Sequence, residues 1–263
     1  MKETRGGNRE GAGRPPVAVE NKMVLEDLVQ HKAIAANNYQ IIHQESPDNR
    51  GIDVAMLYRS EIVEILYSNN IPVKLASNPD FATRDVLYAK VLLHQIDTVH
   101  LMYCHWPSRY GGQAQSEPNR IRAAEVVRAN VDSILTASPN SFIVIQGDLN
   151  DEWSNISVKD YLVAPTGKEK LVNLMATLPE TEGSHRYRGV WSYLDQIVVS
   201  QNLLTKSGLT IKDTKANICR HSVLLEKDEK YPGHKPYRTY NGMKYHGGFS
   251  DHLPVYIDII HTK

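Results

Sequence analysis

Four times along this chain, an apolar run of strand length stops abruptly in Asp, Asn or His. Phe142-Ile143-Val144-Ile145-Gln146 runs into Gly147-Asp148-Leu149-Asn150-Asp151, and Val99-His100-Leu101-Met102-Tyr103-Cys104 runs into His105-Trp106-Pro107-Ser108-Arg109. Trp191-Ser192-Tyr193 leads into Leu194-Asp195-Gln196 at the start of a further run, and Gly247-Gly248-Phe249 leads into Ser250-Asp251-His252 just before Leu253-Pro254-Val255. Strand ends and their loops are where a rigid scaffold holds side chains within catalytic tolerance. The pattern therefore constrains both the fold, which must be rich in sheet, and the place of its chemistry.

The remaining text agrees with a layered architecture. Strands are predicted over Ile52–Tyr58, Ile62–Tyr67, Val86–Leu93, Val99–Cys104, Phe142–Gln146, Leu194–Val199 and Leu253–Ile260. Many of these runs are continuously apolar, as expected for sheets covered on a face or packed together. Helical spacing predicts one helix from Met23 to about Ala36, with Val24, Leu25, Leu28 and Val29 on one face. A stronger one spans Ser116–Ala137: Ser116-Glu117-Pro118 is a start signal, and Ile121, Ala124, Val127, Val131, Ile134 and Leu135 follow at helical spacing. Strands outnumber long helices, which favours an α/β sandwich over a regularly alternating doubly wound fold.

Composition narrows the function. Among 263 residues, 30 Lys and Arg balance 30 Asp and Glu, so no global basic field marks a protein that tracks along nucleic acid. Cys104 and Cys219 are too few for a disulfide framework or a zinc site of their own. No apolar stretch approaches the roughly 20 residues of a membrane span. The opening MKETRGGNREGAGRPP has no apolar segment of a secretory signal. Residues 1–16 are expected to be a disordered or aberrant leader, and residues 17–263 a single domain acting as a monomer, with no protein partner indicated.

Asp, Asn and His at strand ends suit a hard divalent cation, which prefers oxygen ligands and is commonly held by one or two carboxylates plus a substrate phosphate. A histidine donating to a phosphate oxygen would stabilise the charge that builds as water attacks. Each motif alone has a plainer use: Gly-Asp-Leu-Asn-Asp serves as a turn, Asp195 as a turn cap, and His105 as a satisfied, half-buried histidine.

Taken together, the ordered motifs resemble the endonuclease/exonuclease/phosphatase superfamily, with deoxyribonuclease I among its members. The resemblance runs from Glu20-Asn21-Lys22 through Arg50-Gly51-Ile52-Asp53-Val54-Ala55-Met56-Leu57-Tyr58 to Gly248-Phe249-Ser250-Asp251-His252-Leu253-Pro254, covering roughly residues 17–260. Thr83-Arg84-Asp85, Tyr187-Arg188-Gly189-Val190-Trp191 and Tyr237-Arg238-Thr239-Tyr240-Asn241-Gly242 look similar to bacterial members of that group. The resemblance implies a four-layer α/β/β/α sandwich with its site at one rim. It implies an Mg²⁺- or Mn²⁺-dependent phosphoester hydrolase, of nuclease or phosphodiesterase type, acting on nucleic acid or a small phosphodiester. Asp148 would orient or deprotonate the attacking water, Asn150 would contact metal and phosphate, and Asp251 would be a metal-site carboxylate. His252 would lie on the scissile phosphate with Asp195 orienting it, and His105 would be a second phosphate-binding histidine. Arg109 and Arg186 are candidate phosphate forks or, equally, solvated surface arginines.

The N-terminus departs from the family. Pro15-Pro16-Val17-Ala18-Val19-Glu20-Asn21 stands where relatives have a strand ending in Glu-Val-Glu-Asn, so Ala18 takes the place of a metal-ligand Glu and the strand before it is missing. Glu20, two residues on and on the same face of an extended segment, is a candidate substitute ligand. Two alternatives follow: a phosphatase or phosphodiesterase directed at inositol phosphates or phospholipids, and an inactive remnant that lost its metal ligand.

Overall fold

The computed structural model describes residues 21–75, 78, 80–205 and 207–262. In chain order these form α1 (Lys22–Gln30), β1 (Tyr39–His43), β2 (Ala55–Arg59), β3 (Val63–Ile71), β4 (Val86–Leu93), β5 (Asp97–His105), α2 (Gln113–Ala137) and β6 (Phe142–Asp148). A π-helical segment, Ser157–Val163, precedes β7 (Val172–Asn173), β8 (His185–Tyr187), β9 (Val190–Ser192), β10 (Asp195–Val199), β11 (Gly208–Ile211) and β12 (Asn217–Ile218). The chain finishes with β13 (Leu225–Lys227), β14 (His234–Pro236), β15 (Tyr240–Asn241), β16 (Lys244–Tyr245), β17 (Val255–Tyr256) and β18 (Ile259–Thr262). The predicted leader and the segment with Ala18 and Glu20 lie outside the described residues.

One six-stranded sheet, in the order β3-β4-β5-β6-β10-β7, organises the molecule. Its two faces bury different sets of side chains because successive residues of a strand point in opposite directions. On one face Met102, Cys104, Ile143, Ile145 and Val198 pack with Ala123, Ala124, Val127 and Val131 of α2 and with Val158 and Leu162 of the π-helical segment. On the other, Leu87, Ala89, Val91, Val99, Val144, Ile197 and Val199 meet Met56, Leu209, Ile211, Ile257 and Ile259. That second layer consists of the ladders β1–β2, β11–β18 and β12–β17, and α1 packs on β1. The result is an α/β/β/α sandwich. A one-residue slip of β5 or β6 would exchange the two buried faces. Each fully buried aliphatic side chain is worth about 1.5–3 kcal/mol, so the register is firmly set.

Helix boundaries differ from expectation for local reasons. Asn21 caps α1 by accepting from Val24 N at 3.2 Å, but the helix stops at Gln30, not near Ala36. Only Leu25 is buried, and a short helix with one anchored residue gains too little packing to continue. The second helix starts at Gln113, three residues early. Ser116 lies inside its first turns, its Oγ bonding back to Gly112 O at 2.7 Å, while Pro118 is accommodated within the helix. The predicted strand at Ile52 begins instead at Ala55, because the Asp53 carboxylate binds Ser46 N at 2.6 Å and His43 at 2.9 Å. The run Leu253–Ile260 is broken between β17 and β18, where Asp258 O accepts from Lys212 N at 2.8 Å.

Gly147 lets β6 lie against β5. Its φ is +137°, and a Cβ there would sit 1.9 Å from Cys104 O. Gly147→Ala is expected to lower stability by about 3 kcal/mol, combining backbone strain with a clash against a fixed carbonyl, and to lower Tm by about 10 °C in thermal unfolding followed by circular dichroism. A melting point within roughly 1 °C of the parent would refute this account of strand packing.

Candidate active site

Sheet register assembles the site. In the parallel β5–β6 ladder His105 is opposite Asp148, and in the antiparallel β10–β6 ladder Asp195 is opposite Asp148. All three side chains fall on the inter-sheet face, in phase with Val99, Val144 and Ile197. Three separated sequence segments thus deliver a His-Asp-Asp row at the same sheet rim. His105 Nε2 is 3.6 Å from an Asp148 oxygen.

The loop after β6 is fixed by its own hydrogen bonds. Asp148 accepts from Asn150 N at 2.8 Å, and Asn150 Nδ2 donates to Trp106 O at 3.0 Å. Asn150 has φ 52°, a left-handed conformation that Asn tolerates better than most residues. Asp151 is fully buried and meets Arg120 at 2.7 Å, the Ser157 hydroxyl at 2.6 Å and Arg109 at 3.2 Å.

From the C-terminal side, Leu253 N bonds to Ser184 O, and His252 bridges His185 of β8. His252 Nδ1 then lies 2.7 Å from Asp195. The His185 and His252 rings are 4.8 Å apart. Among the described residues, the ligand atoms of Asp148, Asp195 and His252 lie within 4.8 Å of one another, as do those of His185, Asp251 and His252.

The three histidines are electrostatically unequal. Burial, with Arg84 and Arg50 nearby, pulls His105 down to about 3. Burial and the neighbouring His252 pull His185 down to about 4. Burial also opposes charge on His252, but Asp195, Asp148 and Asp251 outweigh it and raise it to about 10. Asp148 is held above the ordinary carboxylate range, first by burial and then by Asp195, with His252 opposing. For Asp195 burial is overcome by the charge and hydrogen bond of His252, which hold it low. Asp148, Asp195 and Asp251 therefore surround a single imidazolium. This surplus of negative charge, together with the amide of Asn150, fits a hard divalent cation. As a protonated ring committed to Asp195, His252 offers a hydrogen-bond donor and no lone pair to a cation.

Not every expected residue joins the site. Arg109 donates from Nε to Asn150 O at 2.6 Å and from Nη2 to Asp151 and Asn155, so it braces the loop from behind. Arg186 is neither phosphate fork nor surface residue. It is buried, and its nitrogens donate to Gly189 O, Pro232 O, His234 O and Asp228. In each case carbonyl and carboxylate oxygens offer the same fork geometry as a phosphate. Glu20 is outside the described residues. Conversely, the sequence motifs contain His185 and Arg84 but assign neither a role. His185 was hidden within the basic text Ser184-His185-Arg186 and is recognisable only through its bridge to His252. Arg84 is buried, pairs with Asp48 at 2.9 Å, and donates to His105 O and Trp106 O, anchoring the end of β5.

The layered α/β sandwich gathers carboxylates and histidines at one rim of its sheets. The chain matches the model of the Endonuclease/Exonuclease/phosphatase family over residues 16–261, and it belongs to that family. Its fold is similar to that of a humanized D. rerio TDP2 (15% identity, TM-score 0.57, covering 90% of this chain and 81% of that one). It is also similar to the mannosyl-6-phosphatase Bt3783 of Bacteroides thetaiotaomicron (16% identity, TM-score 0.56, 89% and 82% covered). An endonuclease/exonuclease/phosphatase from Bacteroides vulgatus is another such neighbour (16% identity, TM-score 0.55, 90% and 80% covered). No curated protein sequence matches the chain.

The His252–Asp195 pair gives a signed pH prediction. A histidine raised from about 6.5 in the unfolded chain to about 10 when folded contributes stability that is full below about 6.5 and lost as pH rises through about 10. Asp195→Asn removes a partner that raises His252. In NMR titrations the His252 ring should stay protonated at pH 8 in the parent and titrate at least about one unit lower in the variant. The stability gap between the two proteins should shrink from pH 6 toward pH 10. Identical His252 titrations would refute the pairing.

Proposed function

We propose that this chain is a divalent-metal-dependent phosphoester hydrolase of phosphodiesterase or nuclease type, acting by in-line attack of water on phosphorus. Family membership supports a phosphoesterase-type enzyme. The observation that carries the finer reading is the His105-Asp148-Asp195 row, closed by His252 at 2.7 Å from Asp195.

Asp148 is the residue to orient the water and take its proton, since a carboxylate raised toward neutrality is a more effective general base. Asp195 keeps Nδ1 of His252 occupied and its ring cationic, leaving Nε2–H to donate to a phosphoryl oxygen as negative charge builds. His105 and His185 stay neutral and add hydrogen bonds without further charge. Asp148, Asn150 and Asp251 would hold the cation. When bound, Mg²⁺ or Mn²⁺ would lower the pKa of a coordinated water and neutralise charge on the phosphoryl oxygens. The balance of 30 basic and 30 acidic residues favours small or short substrates over long duplexes.

Asp148→Ala and His252→Ala are each expected to reduce hydrolysis of bis-p-nitrophenyl phosphate by more than about 100-fold while far-UV circular dichroism stays unchanged. Retained turnover in both variants would eliminate this site. In thermal-shift measurements Mn²⁺ should raise the Tm of the parent, and raise it less in Asp148→Ala. Equal shifts in the two proteins would mean that the cation binds elsewhere.

A further inference from the structure

The β8–β9 hairpin carries His185 into the site, yet its own ladder does not fix where it stands. Each strand has three residues, and among the described residues the hairpin pairs with no strand of the six-stranded sheet. A two-stranded hairpin is marginal by itself. Its place comes from contacts outside that ladder. Alternation divides it into two faces. His185 and Ser192 are opposite one another on one face, and Arg186 and Trp191 on the other.

The face bearing Arg186 is anchored. Its Nε and Nη2 donate to Gly189 O at 3.2 and 3.1 Å, and Nη2 also reaches Pro232 O at 2.6 Å. Nη1 donates to His234 O at 2.7 Å and to Asp228 at 3.3 Å. One buried guanidinium thus ties the turn of β8–β9 to β14 and to the loop between β13 and β14. The carbonyl of Arg186 accepts from Arg238 at 3.3 Å. Arg220 lies 4.3 Å from the Trp191 ring centre and donates to Gly183 O at 3.2 Å. Gly189, with φ +83°, lets the turn close on Tyr231, since a Cβ there would sit 2.9 Å from that side chain.

The hairpin passes this position on to the site. Ser184, just before β8, accepts from Leu253 N at its carbonyl (2.7 Å) and from Asp195 N at its hydroxyl (3.4 Å). His185 makes the isolated bridge to His252. Both members of the His252–Asp195 pair are therefore held from two adjacent residues of the hairpin. Misplacing a reacting group by about 1 Å costs on the order of 100-fold in rate.

We propose that Arg186 is a positioning residue: by locking the β8–β9 hairpin to β13–β14, it holds Ser184 and His185 where they present His252 to the phosphate. It acts through the hairpin and touches no reacting atom. This deepens the hydrolase reading and rests on it for the role of His252.

Arg186→Lys keeps the charge but replaces the planar fork with a compact ammonium. Hydrogen exchange of the full chain, followed by NMR, should show the Leu253 amide exchanging at least about tenfold faster than in the parent, with Ile145 and Val198 of the β6–β10 ladder unchanged. With bis-p-nitrophenyl phosphate and Mn²⁺, kcat should fall at least about tenfold while KM moves less than about twofold, because His252 donates chiefly as charge develops. Asp228→Asn removes the charge from one contact of the clamp and keeps its shape. It should move Leu253 exchange and kcat in the same directions by about threefold, and it decides the matter if the lysine variant does not fold. Leu253 exchange like that of the parent, or equal acceleration at all three amides, overturns the clamp even if the enzyme hydrolyses phosphodiesters. Selective exchange at Leu253 with kcat unchanged overturns the positioning role. Selective exchange in a chain whose parent hydrolyses no phosphoester keeps the clamp on His252 and overturns the hydrolase.

Discussion

The buried ion pair between Asp151 and Arg120 holds the loop after β6 in place. Both side chains are wholly excluded from solvent and meet at 2.7 Å. Such a pair adds little net stability, because desolvation offsets most of the attraction, but removing one partner strands a buried charge at a cost of about 3–5 kcal/mol. Asp151 also takes the Ser157 hydroxyl and Arg109, and its carbonyl accepts from Gln196 at 3.1 Å. One residue thus joins α2, the π-helical segment, β10 and the loop after β6. Asp148 and Asn150, three and one positions before it, inherit that rigidity.

A second arginine performs a matching task at the neighbouring strand. Arg84 ties the carbonyls of His105 and Trp106 to Asp48, which also receives Arg50. Burial works against the Asp48 charge, but the two guanidinium groups hold its carboxyl low. One rim therefore has a neutral-to-positive side around His105 and a negative side at Asp148, Asp195 and Asp251. Such polarity is what the proposed phosphate and divalent cation would require, while burial, aided by Arg84, Arg50 and His252, keeps His105 uncharged.

Much of this was legible in advance where strand pattern and strand-end chemistry coincide. The run Val86–Leu93 is β4 residue for residue, and the motifs containing His105, Asp148, Asp195 and His252 do meet. The arginines were harder to place. The donor fork that marks Arg109 and Arg186 as phosphate ligands is satisfied equally well by backbone carbonyls and carboxylates, and only burial and distance decide between them. His185 gave no signal of its own, because its place depends on an isolated bridge to a residue 67 positions away. Strand β1 was missed because its two-faced exposure leaves no clean alternation.

By itself the amino-acid sequence determined the layered α/β class, the strands that end in Asp, Asn and His, and the presence there of residue types suited to metal and phosphate. Those are properties of local periodicity and side-chain chemistry, which any short window displays. Tertiary structure alone decided which residues converge, which guanidinium groups are consumed as braces, and which histidine carries the charge. Charge state and contact depend on burial and on partners far away in the chain, and neither is written in a window of neighbours.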